Sequence, residues 1–86
     1  MKVFKFILPT DRVTLTVKLF HIRKVLRFDL QNDVPVVWCV VDPYYEREYL
    51  IECVYTGDED KYFFVDFAGT IKLREDFILH YFIAPL

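Results

Sequence analysis

The fold is decided by one stretch of sequence, LRFDLQNDVPVVWCVV at positions 26–41. Its first part alternates apolar with charged residues, as in a strand with one buried face. The apolar members are Leu26, Phe28 and Leu30. Residues 31–33 predict a turn, because Asn32 and Asp33 tolerate left-handed dihedral angles. Residues 36–41 are apolar at every position, which predicts a strand at the centre of a β-sheet, covered on both faces.

Five further segments carry strand patterns: 4–8, 12–19, 49–55, 62–67 and 77–83. Asp42 and Pro43 are expected to end the central strand, because proline cannot donate a hydrogen bond to a ladder. Residues 57–60 are expected to form a hairpin tip, and residues 18–27 fit either a strand or one face of a helix. We therefore expect one all-β domain over residues 1–86, a compact antiparallel sandwich or small barrel of six or seven strands.

The composition supplies more apolar side chains than so short a chain can bury. Hydrophobic residues make up 55% and aromatic residues 19% of the 86 residues, whereas a chain of this size buries only about 64% of its surface on folding. We therefore expect a homo-oligomer or another partner to cover the remainder. No stretch approaches the length of a membrane span, and the start lacks a signal-peptide core, so we expect a cytoplasmic protein that does not contact membranes.

Charge is divided along the chain. Residues 1–30 carry seven basic and two acidic side chains, a balance of +5, and residues 31–86 carry four basic and eleven acidic ones, a balance of −7. The division indicates either strand faces that pair across the sheet or one positive and one negative face, suited to head-to-tail association or to a charged partner. A pI of 5.6 argues against nucleic acid as that partner.

The residues that most catalytic chemistry needs are missing or badly spaced. Serine is absent, which excludes a serine nucleophile. Cys39 and Cys53 are expected to be buried, protonated thiols rather than a disulfide or a nucleophile. Together with His21 and His80 they lack the close pairs of a zinc site, and two glycines cannot form a phosphate-binding loop. We therefore predict no enzyme activity, no catalytic residue, no metal site and no cofactor.

Two segments carry residues that are typical of interaction surfaces. The loop after the central strand contains Tyr44, Tyr45 and Arg47, and tyrosine and arginine contribute most at interface hot spots. Alternatively, one tyrosine folds back onto the core while Arg47 pairs with a neighbouring glutamate. The closing segment holds His80 and Phe82, and a terminal edge strand of this composition would pair with another chain. Alternatively, His80 is a core or rim histidine hydrogen-bonded to the backbone.

Residues 31–43, QNDVPVVWCVVDP, resemble the signature of a family of small, uncharacterised proteins encoded mainly by bacteriophages and prophages. In that family a Gln-Asn turn is followed at fixed spacing by a tryptophan and then by Val-Asp-Pro. Further similar positions are 5–9, 56–57, 69–70 and 80–82. Three residues depart from the pattern: Asp33 replaces a usual glycine, Asp58 a histidine and Leu79 a tryptophan. The resemblance implies a phage origin but no mechanism, and any site that uses the missing histidine or tryptophan is absent here.

Small phage proteins that lack catalytic residues and expose apolar β surface commonly act by occupying a host component. Our first hypothesis is therefore a non-enzymatic inhibitor that binds a host protein of an antiviral defence system. The second is an oligomeric sponge that sequesters a nucleotide signal, with Tyr44, Tyr45, Arg47 and the basic N-terminal half supplying rings and positive charge. The third is a virion or nucleic-acid-associated structural protein, which the acidic pI disfavours.

Overall fold

Antiparallel strands make up most of the described part of the chain, which in this computed structural model comprises residues 1–11, 13–58, 67–74 and 77–86. The five strands are β1 (Lys2–Ile7), β2 (Val13–Gln31), β3 (Val34–Tyr55), β4 (Phe67–Arg74) and β5 (Phe77–Pro85). Every pairing between them is antiparallel, so the predicted all-β antiparallel class is confirmed. No helix in these residues is long and apolar enough to cross a membrane.

A long hairpin of β2 and β3 forms the centre of the sheet. The two strands pair from Gln31 opposite Val34 as far as Val13 opposite Cys53. The backbone reverses direction at two residues whose φ angles are 51° and 64°, and positive φ at both central residues is what a type I′ hairpin turn requires. These residues are Asn32 and Asp33. The predicted turn is therefore confirmed.

Both strands of this hairpin are longer than the sequence pattern indicated. Residues 13–19 of the predicted segment 12–19 and the predicted segment 26–30 belong to the single strand β2. Residues 18–27 are therefore strand, and the helical alternative is wrong. Likewise, the predicted segments 36–41 and 49–55 belong to the single strand β3. The count of six or seven strands is accordingly not confirmed.

A bulge explains why Pro43 does not end β3. His21 of β2 pairs with Asp42, but the preceding Phe20 pairs with Glu46. Residues 43–45 therefore have no partner on β2. A bulge of this kind is one of the few places in a sheet where proline, which has no N–H, breaks no ladder hydrogen bond.

β3 bends at this bulge, and its two halves have different neighbours on one edge. β1 pairs with residues 36–41 and β5 with residues 49–55, while β2 lies along the other edge of both halves. β4 extends the sheet beyond β5, and the sheet curls until β4 contacts β2. The result is a curled half-barrel with dimensions of 39 × 29 × 15 Å.

The hydrophobic core fills the half-barrel. Its buried members are Leu8, Ile22, Val37, Cys39, Val41, Tyr49, Ile51, Cys53, Ile71, Leu79, Tyr81 and Ile83. The two buried tyrosines also hydrogen-bond to the backbone: the Tyr49 hydroxyl accepts from the N–H of Ile22 at 2.8 Å, and the Tyr81 hydroxyl donates to the carbonyl of Pro9 at 2.5 Å. The Tyr49 phenol therefore satisfies the N–H of Ile22, beside an irregularity of β2, and the Tyr81 phenol satisfies the carbonyl of Pro9, which lies outside the strands.

β4 was not predicted, and it changes the position of β5. The alternation of Phe67, Ile71 and Leu73 is interrupted by Gly69, which hides the strand pattern. Because β4 pairs with the outer edge of β5, the closing segment is an internal strand, and the prediction of a terminal edge strand is wrong. Residues 59–66 lie outside the described residues. They include part of the predicted hairpin tip at 57–60 and most of the predicted strand at 62–67.

Replacing Asp33 by glycine is expected to raise the free energy of unfolding by about 0.5 kcal/mol. Glycine removes the steric cost of a Cβ at positive φ, about 1–2 kcal/mol and less for aspartate, but adds unfolded-chain entropy of about 0.4–1 kcal/mol. Urea denaturation measures the difference. Asp11→Gly removes the same carboxylate at a position without positive φ and is expected to destabilise. Equal destabilisation by both substitutions would contradict a strained turn.

Replacing Gly69 by alanine is expected to cost about 1–3 kcal/mol, because overpacking forces neighbours to shift. An added Cβ would lie 2.3 Å from Cδ2 and 2.4 Å from Cγ of Phe28. The Phe28 ring is itself stacked on Tyr81, with ring centroids 6.4 Å apart. Urea denaturation of Gly69→Ala alone and combined with Phe28→Ala tests this contact. An equal cost in both backgrounds would show that the Phe28 ring is not the obstacle.

Candidate binding surface

The sequence-predicted tyrosines lie on the bulge that bends β3. The carboxylate of Asp42 accepts a hydrogen bond from the backbone N–H of Tyr44 at 3.1 Å. The same carboxylate lies 3.7 Å from the guanidinium of Arg23 on β2. Asp42 therefore fixes the backbone at the point where the bulge begins, in the manner of a turn stabilised by its own aspartate.

Both tyrosines of the bulge project into solvent. The exposed fraction is 88% for Tyr44 and 63% for Tyr45, so the alternative in which one tyrosine covers the core is wrong. Arg47 is also exposed and pairs in register with Leu19 of β2. The bulge thus presents two exposed rings on a backbone that Asp42 holds in place, and the exposed Arg47 follows two residues further along β3.

His80 is held between two threonine hydroxyls. Its Nε2 lies 2.7 Å from Oγ1 of Thr56, and its Nδ1 lies 2.9 Å from Oγ1 of Thr70. The imidazole is half-buried, and its partners are side chains, whereas a backbone partner was predicted. Because a hydroxyl can donate or accept, both ring nitrogens are satisfied in either tautomer. We assign this cluster a structural role in joining β4 and β5 to the turn after β3.

The two groups of predicted interface residues do not form one site. Phe82 is half-buried and pairs in register with Glu52, five residues along β3 from Arg47. Five residues of strand span about 17 Å. The tyrosine bulge therefore stands as a separate surface from His80 and Phe82.

The described residues contain no group of three or more potential metal-ligating side chains. Cys39 and Cys53 are free, fully buried thiols, as predicted. Burial raises the pKa of Cys39 to about 11 and also raises the pKa of Cys53. Both thiols are therefore protonated at neutral pH and poor nucleophiles.

A second surface, which was not predicted, lies on the outer side of the sheet where β1, β3 and β2 are adjacent. We call it the Trp38 face; its members in the strand register are Val3, Lys5, Ile7, Lys24, Arg27, Asp29, Val36, Trp38 and Val40, and the exposed Leu26 lies in the irregularity beside Arg27. Trp38 is half-buried and pairs in register with Lys5 on one side and Arg27 on the other. The expectation that both faces of this central strand are covered therefore holds at Val36, which is 1% exposed, but is wrong at Trp38 and Val40, which are only half-buried.

Exposed apolar side chains surround Trp38. The exposed fractions are 61% for Val3, 72% for Ile7 and 49% for Leu26. The signal was present in the sequence, because these β1 residues alternate with the inward-facing Phe4 and Phe6. Contiguous exposed apolar patches of this kind mark interaction sites.

No protein-family model, curated protein or solved structure matches the chain. The resemblance of residues 31–43 to a phage-encoded family therefore stays a prediction.

The free energy of unfolding is expected to fall at alkaline pH. Burial raises the pKa of Cys39, Cys53 and Tyr81. The unfolded chain therefore loses these protons at lower pH than the folded chain does. Stability should be constant from pH 7 to about pH 8.5, the ordinary cysteine value, and should fall as the pH rises through about 11, the pKa of Cys39.

Urea denaturation at a series of pH values measures this fall. Cys39→Ala removes one of the three titrating groups and is expected to make the fall shallower, even though the smaller side chain lowers stability at pH 7. Tyr44→Phe removes a solvent-exposed phenol and should leave the slope unchanged. A Cys39→Ala variant with the wild-type slope would show that this thiol is not stabilised in its protonated form.

Proposed function

We propose that the protein is a small, non-enzymatic binding protein of phage type that inhibits a host protein, one of an antiviral defence system. The observation that carries this proposal is the tyrosine bulge, with Tyr44 88% and Tyr45 63% exposed on a backbone that Asp42 holds in place. The phage origin follows from the resemblance of residues 31–43 to the phage-encoded family.

The bulge has the physical properties of an interface anchor. Tyrosine buries a large area with only two side-chain torsions to immobilise, so its ordering cost on binding is small. The backbone contribution to that cost is reduced as well, because the N–H of Tyr44 is already bonded to Asp42. Arg47 adds an exposed planar donor two residues along β3 from Tyr45, and Tyr and Arg are enriched among the residues whose truncation costs most binding energy.

The chemistry of the described residues supports binding over catalysis. Both thiols are buried with raised pKa values, and both nitrogens of His80 are hydrogen-bonded to threonines. The proposal also includes a cytoplasmic location in the host cell and a homo-oligomer, as the apolar surplus predicts. The predicted closed form of the single domain, a sandwich or small barrel of six or seven strands, belongs to the same proposal.

A nucleotide sponge is the alternative that the same residues allow. Tyr44 and Tyr45 lie on the exposed bulge and Arg47 lies two residues beyond it. The open depression lined by Thr10 and Leu73 includes none of the three. A sponge would therefore need a second subunit to enclose the nucleotide. A virion or nucleic-acid-associated role is the third alternative, and the pI of 5.6 disfavours it.

Replacing both Tyr44 and Tyr45 by alanine is expected to abolish inhibition. Hot-spot truncations cost about 2 kcal/mol or more each, so the double variant should bind its host target at least a hundredfold more weakly. The measurement is phage plating efficiency on cells that carry individual defence systems and express the wild-type chain or the variant. Tyr44→Phe with Tyr45→Phe keeps both rings and should retain most inhibition, and Lys72→Ala on exposed β4 should retain all of it.

A wild-type chain that restores phage growth against no defence system would contradict the proposal, and so would an alanine variant that inhibits as well as wild type. Thermal unfolding in the presence of cyclic and linear nucleotides separates the sponge. A ligand that binds only the folded state raises the unfolding temperature by mass action. A shift with one nucleotide that Tyr44→Ala removes would replace the inhibitor by the sponge.

A further inference from the structure

The outer edge of β1 borders the Trp38 face. Within the described residues β1 pairs with β3 alone, so its outer edge presents N–H and C=O groups that can pair with another strand. Val3 and Ile7 stand exposed along this edge. When a peptide adds to a sheet edge, ladder hydrogen bonds supply affinity and alternate side chains supply specificity. The β1 edge offers both.

Charge at this edge is positive. β1 carries Lys2 and Lys5 and no acidic residue. Across the Trp38 face, the carboxylate of Asp29 is paired with Arg27 on its own strand. The ammonium group of Lys5 donates a hydrogen bond to the side-chain oxygen of Gln31 on β2, a neutral acceptor that leaves its positive charge uncancelled. Electrostatic complementarity requires an acidic occupant.

A second copy of β1 fits this edge poorly. Directly opposed residues share a face, so two β1 strands can pair antiparallel only in registers that match their faces. Two such registers have nearly full overlap. In one of them Lys5 of each copy lies directly opposite Lys5 of the other. In the second the two Lys5 side chains lie on diagonal positions, about 8 Å apart or less. Like charges so placed are destabilising, and lysine on an edge strand is a common protection against self-pairing. The proposed homo-oligomer therefore uses another surface.

We infer that the β1 edge and the Trp38 face bind an extended, acidic segment of a partner protein. The inference rests on the proposed function, because it names the chemistry of that partner. The register of β1 defines the segment further. Val3, Lys5 and Ile7 are alternate residues on one face, so the incoming strand carries an apolar residue, an acidic residue and another apolar residue at alternate positions on that face.

The probe that tests this pattern is the heptapeptide TVTETVT, capped at both ends, in which valine, glutamate and valine share a face. Trp38 is the only tryptophan of the chain and lies directly opposite Lys5, so its fluorescence reports on the proposed site. Titration with TVTETVT is expected to shift the Trp38 emission to shorter wavelength. The same peptide with alternate backbone nitrogens methylated cannot complete the ladder and should give no shift.

Charge reversal provides the matched control. TVTKTVT, with lysine in place of glutamate, is expected to bind wild type about fivefold more weakly, because an opposite-charge pair across two strands stabilises whereas a like-charge pair destabilises. In Lys5→Glu the preference should reverse in favour of TVTKTVT. Lys72→Glu makes the same change of net charge on exposed β4 and should keep the wild-type preference.

Several results would overturn the inference. One is an unchanged Trp38 emission at saturating TVTETVT. Another is a Lys5→Glu variant that prefers TVTETVT as strongly as wild type does. A third is a methylated peptide that binds as tightly as TVTETVT. A stronger emission shift with phosphatidylserine vesicles than with TVTETVT would assign the face to a membrane. A dimer in light scattering whose formation itself shifts the Trp38 emission would assign it to a second copy.

The proposed function and this inference fail separately. Tyr44→Ala with Tyr45→Ala is expected to lose inhibition but to bind TVTETVT as wild type does. Loss of inhibition in that variant, together with no peptide binding by wild type, overturns this inference alone. Peptide binding by a wild-type chain that inhibits no defence system overturns the proposed function and retains the β1 edge as a peptide site.

Discussion

The fold depends on a bend in one strand. β3 contains 22 residues, which would span about 73 Å if straight, whereas the longest dimension of the protein is 39 Å. The bulge at residues 43–45 is the largest register shift between β2 and β3, and a bulge bends the strand that carries it. Because β2 pairs with both halves of β3, it must follow the bend, and it does so through further register shifts near Ile22 and Val25. Because both strands bend, the sheet curls and brings Phe28 of β2 against Gly69 of β4.

Bending a ladder removes backbone hydrogen bonds, and nearby side chains replace them. An unsatisfied buried N–H costs about 1–3 kcal/mol. At the bend, the hydroxyl of Tyr49 accepts from Ile22 and the carboxylate of Asp42 accepts from Tyr44. The Val-Asp-Pro sequence that ends the family-like stretch 31–43 therefore has a structural explanation. Asp42 fixes the backbone of the bulge, and Pro43 occupies a position where no N–H is needed for the ladder. The same two residues place the exposed tyrosines, so the fold and the proposed interface depend on one feature.

Local patterns predicted what local interactions determine. Asn32 and Asp33 predicted the turn because their tolerance of positive φ is intrinsic to the residues. The continuity of β3 through Pro43 was not predictable, because it depends on which residue of β2 faces each position. Trp38 was misplaced for a related reason: six consecutive apolar residues look alike whether the second face is covered by a layer or only bordered by Lys5 and Arg27. Tyr44 and Tyr45 were predicted as interface residues because two adjacent tyrosines near an arginine are recognisable in the sequence. The free edge of β1 was not predictable, because only the order of the strands shows which strand lies at an edge.

The surplus of apolar side chains has a specific location. A half-barrel that is 15 Å thick has room for one core between its walls, since packed sheets lie about 10 Å apart. The inward-facing residues of β3 use that core, and their outward-facing neighbours must be covered by something else. At the Trp38 face the exposed Val3, Ile7 and Leu26 show that the described chain does not cover them fully. The positive charge of β1 then selects among occupants, because it repels a second β1 strand and attracts an acidic one.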